Sequence, residues 1–294
     1  MSRSRNTSPR RQTSPSSNMA MKLSPALKAL IHAPAARPGP CPAPPGIRGV
    51  YLRIAHDART YNLGPRPWLV LSAAATFTLN SPDSLPALHA VASASSSPVA
   101  AAELMREVGL KCISFNGIPR TINCLNAFHD SLDPSVAAAL RTTPIRTTAS
   151  PLPRGKALWD SVYAPFETAL YDKLARAHPD LPVHILQSHY AALLADPPGG
   201  GAAGLLGRVL TSVVAVACLR AQTGVAPQVL SHVFGLRKAL ADGTYEQDGW
   251  QGAELEGVRW LADDEGCAWL LRSVDDIAAA LGGSNFARPP EAKL

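Results

Sequence analysis

The chain has little charge for its length. Asp, Glu, Lys and Arg make up 17% of its 294 residues, against 46% hydrophobic residues. Such a chain buries a sizeable core, with about three quarters of its unfolded surface removed from water, and an ordered globule is expected. Acidic groups are missing where it begins. Nine Lys or Arg and no Asp or Glu lie in residues 1–56, so the net charge of +6 belongs to the N-terminal segment, and the remainder carries 19 basic against 22 acidic groups. A slightly acidic body lacks the clustered Lys/Arg footprint that phosphate neutralisation needs, and no zinc-finger spacing or aromatic RNA-binding motif appears. Nucleic acid is not an expected partner.

Paired cysteines are missing too. Cys41, Cys112, Cys124, Cys218 and Cys267 are scattered without a CxxC, and an odd count argues against a complete disulfide framework. There is no apolar run long enough for a bilayer. The longest, 209–219, is about half of what a span requires and is flanked by Arg208 and Arg220, so it reads as a buried helix without membrane insertion. No GxGxxG, Walker-type GKS/T or HExxH is present, and Gly199-Gly200-Gly201 lacks the Lys and Ser/Thr of a phosphate loop. His184 and His189, five apart, miss the i, i+4 spacing of a helical metal pair. Neither metal nor cofactor is therefore expected.

What is present is Ala- and Leu-rich sequence punctuated by Pro and Gly, with few alternating β-branched runs, which points to an all-α class. Residues 1–49 form a basic Ser/Arg/Pro-rich tail and linker that cannot recover the entropy cost of ordering. A single all-α domain is expected over 50–285, then an extended tail over 286–294. Helices are predicted at 67–80, 98–115, 119–131, 158–177, 183–195, 203–222, 227–241 and 255–281, the last breaking near 264–266. In 98–115, Leu104, Val108, Cys112 and Phe115 recur at helical spacing and line one face, with Glu103 and Glu107 off that stripe. Helix 203–222 is apolar nearly all round, which predicts a place at the centre of a bundle or in an oligomer interface.

Two stretches read alike: Pro119-Arg-Thr-Ile-Asn-Cys-Leu-Asn-Ala-Phe128 and Pro227-Gln-Val-Leu-Ser-His-Val-Phe-Gly-Leu236. Each follows a long apolar helix and a glycine, and Cys124 stands where His232 stands in the second copy. A duplicated helical hairpin is the implied architecture. The second copy resembles the alkyl hydroperoxidase D-like and carboxymuconolactone decarboxylase superfamily. Trp68, the run from Thr78 to Asp83 and the run from Lys111 to Cys124 make the sequence similar to a fungal branch of that superfamily.

The resemblance implies an all-α helical bundle and a homo-oligomer. Its peroxidase members use two cysteines two residues apart with a histidine four positions after the second. Here those cysteine positions are Val225 and Gln228, and the histidine is His232. The catalytic candidates are therefore His232 as general base, with Cys124 and Arg120. Arg120 is a carboxylate-binding fork, and Asn116 and Asn123 are substrate-orienting amides. Two functions stay open: an enzyme acting on a small organic acid, acyl or peroxide substrate without the usual CxxC, or a noncatalytic oligomeric binding or assembly module. Each named residue also has a packing role open to it, Cys112 as core and His232 as a buried, hydrogen-bonded histidine.

The terminal Ala292-Lys293-Leu294 conforms to the small-basic-leucine tripeptide read by the peroxisomal import receptor, and Pro289-Pro290 upstream keeps such a tail extended. The expected location is the peroxisomal matrix. The alternative is the mitochondrion, because an acid-free, Arg/Ser-rich N-terminus resembles a presequence.

Overall fold

Proline and glycine set most of the helix boundaries. The structure, a computed structural model, describes residues 23–31, 33, 41–146, 151–198 and 205–284. The tail before residue 23 and the tripeptide at 292–294 lie outside these. The chain divides into two units, Met1–Gly39 and Pro40–Leu294. The first contains the short helix α1 (Pro25–Ile31), within the segment expected to be an unstructured tail.

The second unit is all-α, with no strand among the described residues. It starts earlier than residue 50. Cys41 N–H donates to Asn80 O at 2.7 Å and its carbonyl accepts from Ser81 Oγ at 2.9 Å, so the end of the Pro-rich stretch is already anchored. Helix α2 (Ile47–Thr60) follows and buries Ile47, Tyr51 and Ile54. Next come α3 (Pro65–Thr78), α4 (Leu85–Ser93), α5 (Pro98–Asn116), α6 (Ile118–Asp130) and α7 (Pro134–Ala139). Helices α8 (Leu152–Tyr163), α9 (Glu167–Ala177) and α10 (Asp180–His184) lead into a π-helix at Ile185–Leu194. Then follow α11 (Gly207–Gln222), α12 (Ala226–Ala241), α13 (Gly252–Leu261) and α14 (Asp264–Ala280).

Helices α3, α5, α6 and α12 open with Pro in the first turn, where the missing N–H costs nothing. The helix expected over 158–177 is two, because Pro165 cannot continue an α-helix; α8 ends at Tyr163. The expected hairpins do form: α5 packs on α6 and α11 packs on α12, with Gly117 at φ 76° and Gly224 at φ 73° in the two connections.

Helix α11 is central. It packs on α3, α5, α12 and α14, and its residues from Arg208 to Leu219 are all buried. Helix α5 departs from the one-stripe reading, because Glu103, Glu107 and Lys111 are buried as well, at 5, 3 and 0% exposure. Spaced by four, they form one ridge. Glu103 Oε1 accepts from Arg141 N–H at 2.6 Å, and Glu107 takes a two-pronged bond from Arg146. Lys111 Nζ donates to Leu194 O at 2.6 Å, Asp196 Oδ1 at 2.6 Å and Thr211 Oγ1 at 3.0 Å.

These bonds let the π-helix terminate inside the protein. Helix ends leave carbonyls without partners, and the Leu194 and Leu193 carbonyls accept from Lys111 and Arg146 respectively. Packing needs a missing side chain as well: a Cβ on Gly155 of α8 would overlap Ala191 of the π-helix. Replacing Lys111 by Met keeps the volume but leaves Asp196 and two neutral acceptors without their donor. Lys111→Met is expected to destabilise the protein by about 3 kcal/mol in urea unfolding; a change below about 1 kcal/mol would remove Lys111 from this role.

Candidate functional site

Two carboxylates shape the start of α11. Asp196 Oδ2 accepts from Gly207 N–H at 2.7 Å, and Asp248 accepts from the N–H groups of Arg208 and Val209 at 2.7 and 2.8 Å. The first amides of a helix have no partner within it and carry its positive dipole end, so anionic caps stabilise them. Gly207, at φ 76°, allows the approach, since a Cβ there would overlap the Asp248 carboxylate. Burial raises the Asp248 pKa, and the bonds from Val209 and Arg208 oppose that rise.

Beside this capped end lies a cavity of about 800 Å³. Three guanidiniums line it: Arg66 from α3, Arg154 from α8 and Arg208 from α11. Arg66 donates to Leu205 O at 2.5 Å and lies 5.3 Å over the Trp250 ring. The Nε of Arg154 is buried without a partner among the described residues. Arg208 is 8% exposed, and its guanidinium donates only to neutral acceptors: Ser161 Oγ (2.8 Å), Ser161 O (3.1 Å), Ser212 Oγ (2.5 Å) and Gly235 O (2.7 Å). It has no ion pair among the described residues, and burial lowers its pKa. The volume falls within the usual range for small-molecule pockets.

Arg208 also forms part of the wall of a second cavity, of about 10 Å³, room for one water at most. His232 lines it, 8% exposed, with Nε2 3.3 Å from Tyr163 Oη, which lies 2.9 Å from Tyr190 Oη. Phe115 meets the imidazole edge-on at 6.1 Å. Desolvation and then the Arg208 charge push the His232 pKa down to about 4, so the ring is neutral at pH 7. Arg208, Leu158, Leu194 and Thr211 line both cavities and stand between His232 and the larger one.

The other expected site residues collect elsewhere, around the end of α3. Arg120 Nη1 donates to Thr78 O at 2.6 Å, and Asn116 Nδ2 to Thr78 Oγ1 at 3.0 Å. Asn123 Nδ2 donates to Asn80 Oδ1 at 3.4 Å, and Cys124 Sγ is 4.0 Å from the same oxygen. Asn80 has φ 53°, so these groups hold a left-handed helix exit. Burial pushes the Cys124 thiol up to about 12 despite the Arg120 charge, far from the thiolate a nucleophile needs. Cys112 lies in the core 3.5 Å from Cys218, and burial raises its pKa well above the usual thiol value.

Sequence reasoning did not find the Arg66, Arg154 and Arg208 set. Arg208 was visible only as the flank of an apolar run, and nothing in the sequence joins it to residues 66 and 154. Among the described residues no group of three or more His, Cys, Asp or Glu stands close enough to hold a metal ion, and no helix is long and apolar enough to cross a membrane. No protein-family model matches the chain, and no curated protein or solved structure matches it either.

The depressed His232 pKa sets a pH dependence. The unfolded chain takes up a proton near 6.5 and the folded one only near 4, so this contribution to stability is whole above about pH 6.5 and is lost as pH falls toward 4. Between about pH 7 and pH 4, His232→Asn is expected to lose about 3 kcal/mol less unfolding free energy than the parent chain. Parallel pH profiles for the two would show that His232 is not a buried neutral histidine.

Proposed function

We propose that this chain is a peroxisomal alkyl hydroperoxidase D-like helical protein that binds a small organic acid in the cavity beside the start of α11. One observation carries the reading: Arg208 is a buried cation facing that cavity with only neutral acceptors. Asp248 and Asp242 act on this cation only through space, and an anionic ligand would supply the direct ion pair that the guanidinium lacks among the described residues. Asp196 and Asp248 have their lone pairs engaged by backbone amides, and the cavity's three guanidiniums outnumber these two carboxylates. A planar carboxylate suits the guanidinium fork.

Between enzyme and binding module, the surroundings of the thiols and of His232 favour the module. Thiol peroxidase chemistry needs an accessible thiolate, and burial holds Cys124 and Cys112 as thiols. His232 keeps the acid–base reading open, since a neutral imidazole accepts a proton, but its approach to a ligand requires the wall at Arg208 to part. Arg120, Asn116, Asn123 and Cys124 are read as holding the end of α3. The family assignment rests on the resemblance of 227–236, the homo-oligomer on that same family, and the address on Ala292-Lys293-Leu294.

Calorimetric titration with a series of mono- and dicarboxylates tests the binding reading. At least one member is expected to bind, and Arg66→Gln and Arg154→Gln each to weaken it about tenfold or more. Carboxylates that bind both variants as tightly as the parent, or none that binds at all, would defeat the proposal. For the address, the full chain with an N-terminal fluorescent fusion is expected in peroxisomes, and removal of Leu294 should release it to the cytosol. An unchanged distribution would remove the tripeptide from the account.

A further inference from the structure

Five residues separate His184 from His189, about 1.4 turns of an α-helix, so on that geometry they would face different ways. The observed helix is not an α-helix. From Ile185 to Leu194 it is a π-helix, closing with Ala195 N–H donating to Tyr190 O, a step of five residues. In that winding residues five apart are joined across a turn and lie near one face, as residues four apart do in an α-helix. The two imidazole centres accordingly lie 5.2 Å apart with their planes at 87°.

Each ring is also held on one side. His184 Nδ1 is 3.1 Å from Ser188 Oγ, and His189 Nδ1 is 3.2 Å from Ser114 Oγ on α5. Neither Nε2 has a hydrogen-bond partner among the described residues. Where the serine oxygen accepts from Nδ1–H, Nε2 carries the lone pair, the usual outer support of a metal-binding histidine. A zinc–nitrogen bond of about 2.0–2.1 Å puts each ring centre about 3.2 Å from the ion. At a tetrahedral angle the two centres are then about 5.2 Å apart, the spacing found here. His184 is exposed, so its ring has room to leave Ser188, pivot about Cβ–Cγ and bring its Nε2 to the same ion.

We infer that His184 and His189 form an open two-histidine clip for a divalent transition ion, Zn2+ by its geometry, with water completing the coordination and Ser114 orienting the His189 ring. Two imidazoles suit Zn2+, Ni2+ and Cu2+ and not Ca2+ or Mg2+, which take oxygen ligands. The site is separate from the cavity beside α11, and its existence does not depend on what that cavity binds.

The test is calorimetric titration of the full chain with Zn2+ in a weakly coordinating buffer, with helical circular dichroism confirming that each variant is folded. One Zn2+ per chain is expected, binding being weakened at least about tenfold by His184→Gln, lost in the His184→Gln/His189→Gln pair and weakened about tenfold by Ser114→Ala. His184→Gln alters an exposed side chain, so it remains informative if changes at His189 disturb the fold. Zn2+ should also shield His184 and His189 from carbethoxylation while leaving the exposed His56 and His129 reactive. Zn2+ uptake unchanged in the double variant, no uptake by the parent chain, or equal shielding of all four histidines would each overturn the assignment.

Discussion

A single ridge of buried charge on α5 holds the interior together. Glu103, Glu107 and Lys111 are a helical turn apart, and each binds a different incoming strand of chain: the backbone at Arg141, the guanidinium of Arg146 and the segment from Leu194 to Asp196. A buried ion pair adds little net stability over a well-packed apolar core, but removing one partner leaves the other stranded, so it enforces one arrangement. Here it makes the end of the π-helix and the start of α11 meet at Lys111. The Thr211 hydroxyl, one turn into α11, completes the junction.

That junction determines the character of the cavity. The two carboxylates nearest to it are drawn toward backbone amides at the start of α11, one of them also toward Lys111. The guanidiniums of Arg66 and Arg208 take carbonyls, hydroxyls and an aromatic face in place of carboxylates. Charges of both signs line the same space, yet the negative ones are bound into the scaffold. An organic anion is the occupant proposed for such a pocket.

The π-helix is the second consequence of this packing. Its wider winding sets Tyr190 and Leu194 inward beside Trp159, against a face of α8 that Gly155 keeps flat, while His184 and His189 come together on its outer side. One change of helical pitch thereby separates an aromatic interior from a paired-histidine exterior.

The all-α class, the hairpins at α5–α6 and α11–α12, and the burial of α11 were legible in the sequence, because Pro and Gly punctuation and an all-round apolar run depend on local chemistry alone. The same local rules placed Cys112 in the core. They failed where distant segments meet. Glu103 and Glu107 were placed only off the apolar stripe, because their partners, Arg141 and Arg146, lie more than thirty residues away and only folding supplies them. His184 and His189 read as mismatched because hydrophobic periodicity assumes 3.6 residues per turn, and the pitch of 185–194 follows from its packing on α8 and α5. Composition and punctuation determined by themselves that this chain is helical and which helix lies at its centre. Only the tertiary structure decided which buried charges are answered and which, like Arg208, are left facing a cavity, because charge compensation is a property of neighbours in space.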